Sequence, residues 1–192
     1  MIRRSGAIRE GSAGGSKQTT MKVYPESEVR AAWENVLATR EKIGRGEADW
    51  GDVAEHFTED AVYIDAVWGR YVGREAIRAF MHDCMVGFED WRFPTLWTLV
   101  KDNLVVCAFW SRVPGTKPNG NYADCLCFSV AIYAGDGQFC YETDVFNMAE
   151  LGVLVEEVGW SPPAHSLPVP EKPDRNQLPP DRPEIGHWGL AV

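Results

Sequence analysis

No apolar run in these 192 residues approaches the roughly 20 that a membrane-spanning helix needs, so no membrane segment is expected. Basic charge is scarce too. Nineteen Lys and Arg against 28 Asp and Glu leave a net charge of −9. Nucleic-acid affinity comes mostly from cations that neutralise phosphates, so nucleic acid is not an expected partner. Only five cysteines occur, Cys84, Cys107, Cys125, Cys127 and Cys140, and none stands at a metal-ligand spacing. They read as small buried hydrophobes of a reducing cytoplasm. A phosphate-cradling glycine loop, a nucleophile elbow, a His pair at i and i+4 and a dinucleotide fingerprint are all missing. Neither a metal nor a cofactor is expected. Arg3-Arg4 lacks the apolar segment of an export signal.

What is there is ordinary globular material, 45% apolar and 24% charged, enough for one domain with a core. Residues 1–22, rich in Gly and Ser, are expected to be a disordered extension. Residues 23–160 carry the periodic patterns of an α+β domain. Eight of the twelve prolines fall in residues 161–192, which predicts an extended C-terminal tail. Its apolar end, Ile185 to Leu190, is suited to docking on its own domain or on a partner subunit.

Within the domain, Pro25 opens a helix that buries Val29, Trp33, Val36 and Leu37 and stops near Gly44-Arg45-Gly46. Asp49 with Asp52 starts a second, shorter helix that buries Trp50, Val53 and Phe57. His56 sits beside that stripe, as a packing residue or a catalytic participant. An alternating strand over 61–67 leads through a loop at 68–73 into a helix over 74–86. Strands follow over 91–100, 104–113, 122–133 and 139–147, with short turns that imply an antiparallel meander. A last helix spans 148–158.

Asp65 stands out in this pattern. In the strand it shares a face with Ala61, Tyr63 and Val67, a face otherwise built for burial. A buried carboxylate needs a partner, a wet cavity or a proton, and each makes it a candidate acid or base. Asp144 is the second acid, sharing a strand face with Glu142 and Phe146. Two nearby carboxyl groups do not ionise equally, which supplies an acid and a base at one pH. Asp144 also has two plainer readings: it caps a turn, or it pairs with an arginine such as Arg112.

The run Phe57-Thr58-Glu59-Asp60-Ala61-Val62-Tyr63-Ile64-Asp65, followed by Gly73-Arg74-Glu75-Ala76-Ile77-Arg78-Ala79-Phe80, resembles the nuclear transport factor 2-like superfamily. That superfamily includes the SnoaL-like polyketide cyclases and the ketosteroid isomerases. The resemblance spans about Ser27 to Gly159. It implies a cystatin-like α+β barrel: a cone-shaped, curved, mixed or antiparallel sheet wrapped around a pocket and roofed by three N-terminal helices. It also places Asp65 on the isomerases' general-base aspartate. Two positions depart from the isomerase pattern. Ser129 stands about where those enzymes carry a protonated aspartate, and the first helix has no matching tyrosine, Glu41 being nearest. A steroid isomerase is not expected.

The resulting expectation is a cofactor-independent acid-base enzyme of cyclase, isomerase, dehydratase or epoxide hydrolase type, acting on a hydrophobic small molecule such as a polyketide, terpenoid or steroid-like compound. Asp65 and Asp144 are its catalytic candidates. Tyr63, Trp68, Phe80, Tyr122, Ser129, Glu142 and Phe146 are its substrate-binding candidates, with Trp110 and Phe128 as further aromatic walls. The alternative is a non-catalytic binding or dimerisation module of the same fold. A homodimer is expected in either case. Carboxylates that face away from the cavity, or a cavity filled by its own aromatic rings, favour the alternative.

Overall fold

A computed structural model describes residues 21–191. Helix α1 (Glu26–Gly44) begins right after Pro25 and buries Val29, Ala32, Trp33 and Val36. A 3-10 helix, Trp50–His56, is held at its start by reciprocal capping. The Asp49 carboxylate accepts from Gly51 N at 2.7 Å, and the Asp52 carboxylate accepts from Asp49 N at 2.9 Å. Six strands follow: β1 (Phe57–Asp65), β2 (Gly69–Val72), β3 (Thr95–Lys101), β4 (Leu104–Thr116), β5 (Tyr122–Gly135) and β6 (Gln138–Phe146). Helix α2 (Arg74–Cys84) interrupts them after β2, and α3 (Met148–Val158) closes the domain.

The strands form one curved, unclosed sheet in the order β2-β1-β6-β5-β4-β3. β3 to β6 are the expected antiparallel meander. β1 joins its end in parallel with β6 and pairs with β2 on its other side, so the sheet is mixed. Helix α1, the 3-10 helix and α2 cover its inner face, the roof that the resemblance implies.

Some boundaries differ from the sequence reading, for local reasons. β1 ends at Asp65 rather than Val67, because the Asp65 side chain itself takes the N–H groups of Val67 and Trp68 in a tight turn. That turn returns the chain as β2, where a loop was expected, with Asp65 paired to Gly69. β3 starts only after Pro94, leaving a lone bridge between Arg92 and Arg112 upstream. β4 runs through Pro114-Gly115, where the register against β5 shifts to accommodate the proline. Residues 1–20 of the expected disordered extension lie outside the described residues. Lys22, assigned to that extension, is ordered: its N–H donates to Glu184 O at 2.6 Å.

The proline-rich tail is a strap across its own domain. Ser166 Oγ donates to Val86 O, Arg70 donates to the carbonyls of Asn176 and Leu178, and Arg182 pairs with Asp60. Further on, Ile185 and Trp188 pack on Val62, Ile64, Ile132 and Tyr141 behind β1, β5 and β6. Two glycines make room for it. A Cβ on Gly69 would lie 2.7 Å from Asp174 O, and one on Gly87 would lie 2.7 Å from Pro163; both glycines have φ near +90°, which side chains resist. Among the described residues no helix is long and apolar enough to cross a membrane.

Candidate active site

Strand parity decides what faces the interior. Cys107, Ser129 and Asp144 are register partners on β4, β5 and β6, and Phe109, Cys127 and Phe146 form the next such row. In the parallel pair, Tyr63 lies opposite Glu142 and Ile64 opposite Thr143. Continuing that register by one residue sets Asp65 beside Asp144. Between this inner face, α2, α3 and the strap lies a cavity of about 570 Å³. Tyr63, Asp65 and Asp144 line it from the sheet. Trp50, Trp68, Trp91, Phe93 and Phe146 supply aromatic walls, and Pro162, Pro163, Leu167, Pro168 and Val169 of the strap close one side.

Asp144 accepts two short hydrogen bonds, from Tyr63 Oη to Oδ2 and from Ser129 Oγ to Oδ1, both at 2.6 Å. Both donors are buried. Burial, and next the charge of Asp144, push the Tyr63 phenol well above its usual range, so it stays protonated and donates. Arg112 does not compete for Asp144, since it makes a two-pronged pair with Asp124 on the opposite face. Asp65 Oδ1 accepts from Val67 N at 2.6 Å and Trp68 N at 2.9 Å. Burial raises its carboxyl to about 6 against the pull of those two amides, and Asp144 adds to the rise.

A cation completes the group. Arg40 Nη2 donates to Glu142 Oε1 at 2.7 Å, and Arg40 also lines the cavity. Burial works against its charge, but Glu142 and Asp144 outweigh it and hold the guanidinium protonated. Burial likewise pushes Glu142 up while Arg40 draws it back toward the ionised form. Arg40 was missed as a site residue. Its signal is present: Val29, Trp33, Val36 and Arg40 step by four, three and four, so the apolar stripe of α1 runs straight into an arginine.

The substrate-binding candidates separate accordingly. Tyr63, Trp68 and Phe146 line the cavity with the two aspartates. Ser129 stands behind Asp144 as a donor, and Glu142 stands behind Arg40. Phe80 is not at the cavity: it stacks on Tyr71 with centroids 4.0 Å apart, as core. Tyr122 is on the outer face, 58% exposed, with the Arg112 guanidinium 3.7 Å above its ring. The odd separation of Tyr122 from Ser129 on one strand puts them on opposite faces, and the same parity sends Trp110 and Phe128 outward. His56 Nε2 is bonded to Thr39 Oγ1 at 2.8 Å, as a packing residue of the roof.

The family model for the SnoaL-like domain matches residues 28–139, more than half of the chain. The chain belongs to the SnoaL-like domain family. Solved structures agree on the fold. A protein from Jannaschia sp. CCS1 described as a SnoaL-like polyketide cyclase superposes with a TM-score of 0.52 at 21% identity, covering 74% of this chain and 99% of that one. TerC, crystallised with polyporic acid, gives 0.51 at 17% identity, over 65% and 98% of the two chains. The epoxide hydrolase/cyclase-like enzyme SalBIII, of pyran ring formation in the polyether salinomycin, gives 0.50 at 17%, over 66% and 97%. No curated protein sequence matches the chain. The SnoaL-like match ends before Asp144, so half of the acid pair and the whole strap lie beyond it.

Proposed function

We propose that this SnoaL-like protein is a cofactor-independent acid-base enzyme whose substrate is a flat, hydrophobic molecule of the polyketide, terpenoid or steroid-like kind. The observation that carries the reading is the pairing of two different carboxylates in one apolar cavity. Asp65, near 6, takes and returns a proton close to neutral pH. Asp144, whose two oxygens already accept from Tyr63 and Ser129, serves as a fixed carboxylate that orients a water or a substrate hydroxyl. Arg40, protonated at the wall, stabilises negative charge as it develops. Proton abstraction by Asp65 with charge settling toward Arg40 suits ring closure, double-bond migration or epoxide opening. The structural neighbours described as a polyketide cyclase and as epoxide hydrolase/cyclase-like support that range.

The test is a turnover panel of aromatic polyketides and epoxides, with binding followed by quenching of the cavity tryptophans. Asp65→Asn is expected to lower kcat by about a hundredfold or more while quenching persists. Undiminished turnover in that variant contradicts the assignment.

We infer in addition that two copies pair through the outer sheet face. Trp97, Ala108, Phe128 and Val145 form one register row across β3 to β6, with Leu99 and Leu126 beside it. Trp97 and Val145 are half exposed, and the strap packs on this face away from that row, against Val62, Ile64, Tyr141, Ile132 and Leu104. Its one central charge pair, Arg112 with Asp124, is internally neutral, so two chains of net charge −9 meet here without opposing like charges. Sedimentation should give a dimer, and Trp97→Asp a monomer. A monomeric parent protein at micromolar concentration rules the pairing out.

A further inference from the structure

The strap reaches the candidate active site at one charged side chain. Arg175 Nη1 donates to Ala66 O at 2.7 Å, and its Nη2 donates to Val67 O at 3.3 Å. Those carbonyls belong to the turn whose next two N–H groups, from Val67 and Trp68, hold Asp65 Oδ1. The peptide between Ala66 and Val67 is therefore gripped from both sides, by the guanidinium at its carbonyl and by Asp65 at its N–H. The strap is seated on either side of this grip. Trp68 Nε1 donates to Leu167 O at 3.3 Å, and Pro173 and Asp174 lie against Gly69, where only a glycine leaves room.

We infer that Arg175 is a positioning residue for Asp65, fixing through the 65–68 turn the direction in which that carboxylate meets a ligand in the cavity. The inference rests on the reading of Asp65 as the base. It assigns the strap a second task beyond walling the cavity, and it concerns a segment outside the stretch that the family model covers. The physical reason is economy of motion. A tight turn at a strand end is free to rock about its hinge residues. A two-pronged guanidinium contact to consecutive carbonyls removes that freedom at small cost, because its donors are already coplanar. Arg175 also brings positive charge near a carboxylate that burial and Asp144 push toward its neutral form against the pull of the Val67 and Trp68 amides. Tyr63 on β1, Tyr71 on β2, Cys84 on α2 and Asp144 on β6 face Asp65 from the other packed elements, and Arg40 of α1, paired with Glu142, is the cation on the same cavity's wall.

The experiment follows the Asp65 carboxyl by 13C NMR across pH in the ligand-free full chain, assigned by its loss in Asp65→Asn, together with amide exchange at Val67 and Trp68. Arg175 is exposed, so Arg175→Ala is expected to fold. It should move the Asp65 midpoint upward and speed exchange at both amides roughly tenfold. Arg175→Lys should restore part of the midpoint, which needs only charge, and little of the amide protection, which needs two prongs. Arg182→Ala, which loosens the strap at Asp60 instead, should leave both readouts unchanged. Asp65 and its two amides behaving as in the parent protein when Arg175 is alanine overturns the inference. So does an equal change in Arg182→Ala, which would mark general loosening of the strap. Turnover plays no part in these readouts, so a failed base assignment and a failed positioning role give different results.

Discussion

At the scale of the residue, the site is a phenol and two carboxyl groups whose surroundings differ: Tyr63 and Ser129 donate to Asp144, while burial raises Asp65 against two backbone amides. Tyr63 stays protonated because it is buried beside carboxylates, and it gives its hydrogen to Asp144. Removing that donor should be costly for stability even with no substrate present. Tyr63→Phe is expected to lower unfolding free energy by about 1.5 to 3 kcal/mol, the worth of a hydrogen bond to a charged group, and urea denaturation measures it. A loss close to zero would mean that Asp144 finds an equivalent donor elsewhere. The acids themselves were legible in the sequence, because a carboxylate at an apolar strand position has few explanations. Phe80 and Tyr122 were not, since an aromatic residue reads alike whether it walls a cavity, fills a core or lies outside. For Tyr122 the information was available: seven residues from Ser129 on one strand is an odd step, and odd steps change face. Arg40 was legible by the same logic applied to a helix, as the one cation on a buried stripe.

At the scale of the element, α1, α2, β4 to β6 and α3 follow from periodicity and turn chemistry, and α3 spans the expected residues. The differences arise where a side chain competes with the backbone ladder. Asp65 ends β1 by accepting the two amides that a longer strand would have offered to a neighbour, and so creates the hairpin to β2 that a local reading takes for a loop. The parallel pairing of β1 with β6 joins residues about 80 positions apart, which no local pattern encodes. The strap illustrates the same limit. Its proline content gives an extended chain, but its path depends on distant cavities for its backbone, the bare Cα faces of Gly69 and Gly87. Arg175 acts at this scale as well, joining an element outside the family match to the turn that holds Asp65.

At the scale of the whole molecule, one curved sheet has two uses. Its inner face, roofed by α1, the 3-10 helix and α2, encloses the cavity, and its outer face offers the apolar row proposed for pairing. Placing a carboxylate in the enclosed half has a thermodynamic consequence that needs no substrate to observe. The Asp65 carboxyl is raised from 3.8 to about 6, so between those values the folded protein keeps a proton that the unfolded chain has lost. Stability contributed by this group therefore falls as pH rises through that window, by up to about 3 kcal/mol above it. Asparagine keeps the Oδ1 acceptor for Val67 and Trp68 without the charge.

The most direct measurement is the unfolding free energy of the parent protein and of Asp65→Asn, by urea denaturation at about pH 8 and again at about pH 4. Asp65→Asn is expected to be the more stable of the two at the higher pH, by up to about 3 kcal/mol, with the gap closing at the lower one. Equal stability at both values, or a more stable parent protein at the higher pH, would contradict this expectation, because Asp65 would then be a well-solvated or well-paired carboxylate rather than a base held in an apolar cavity.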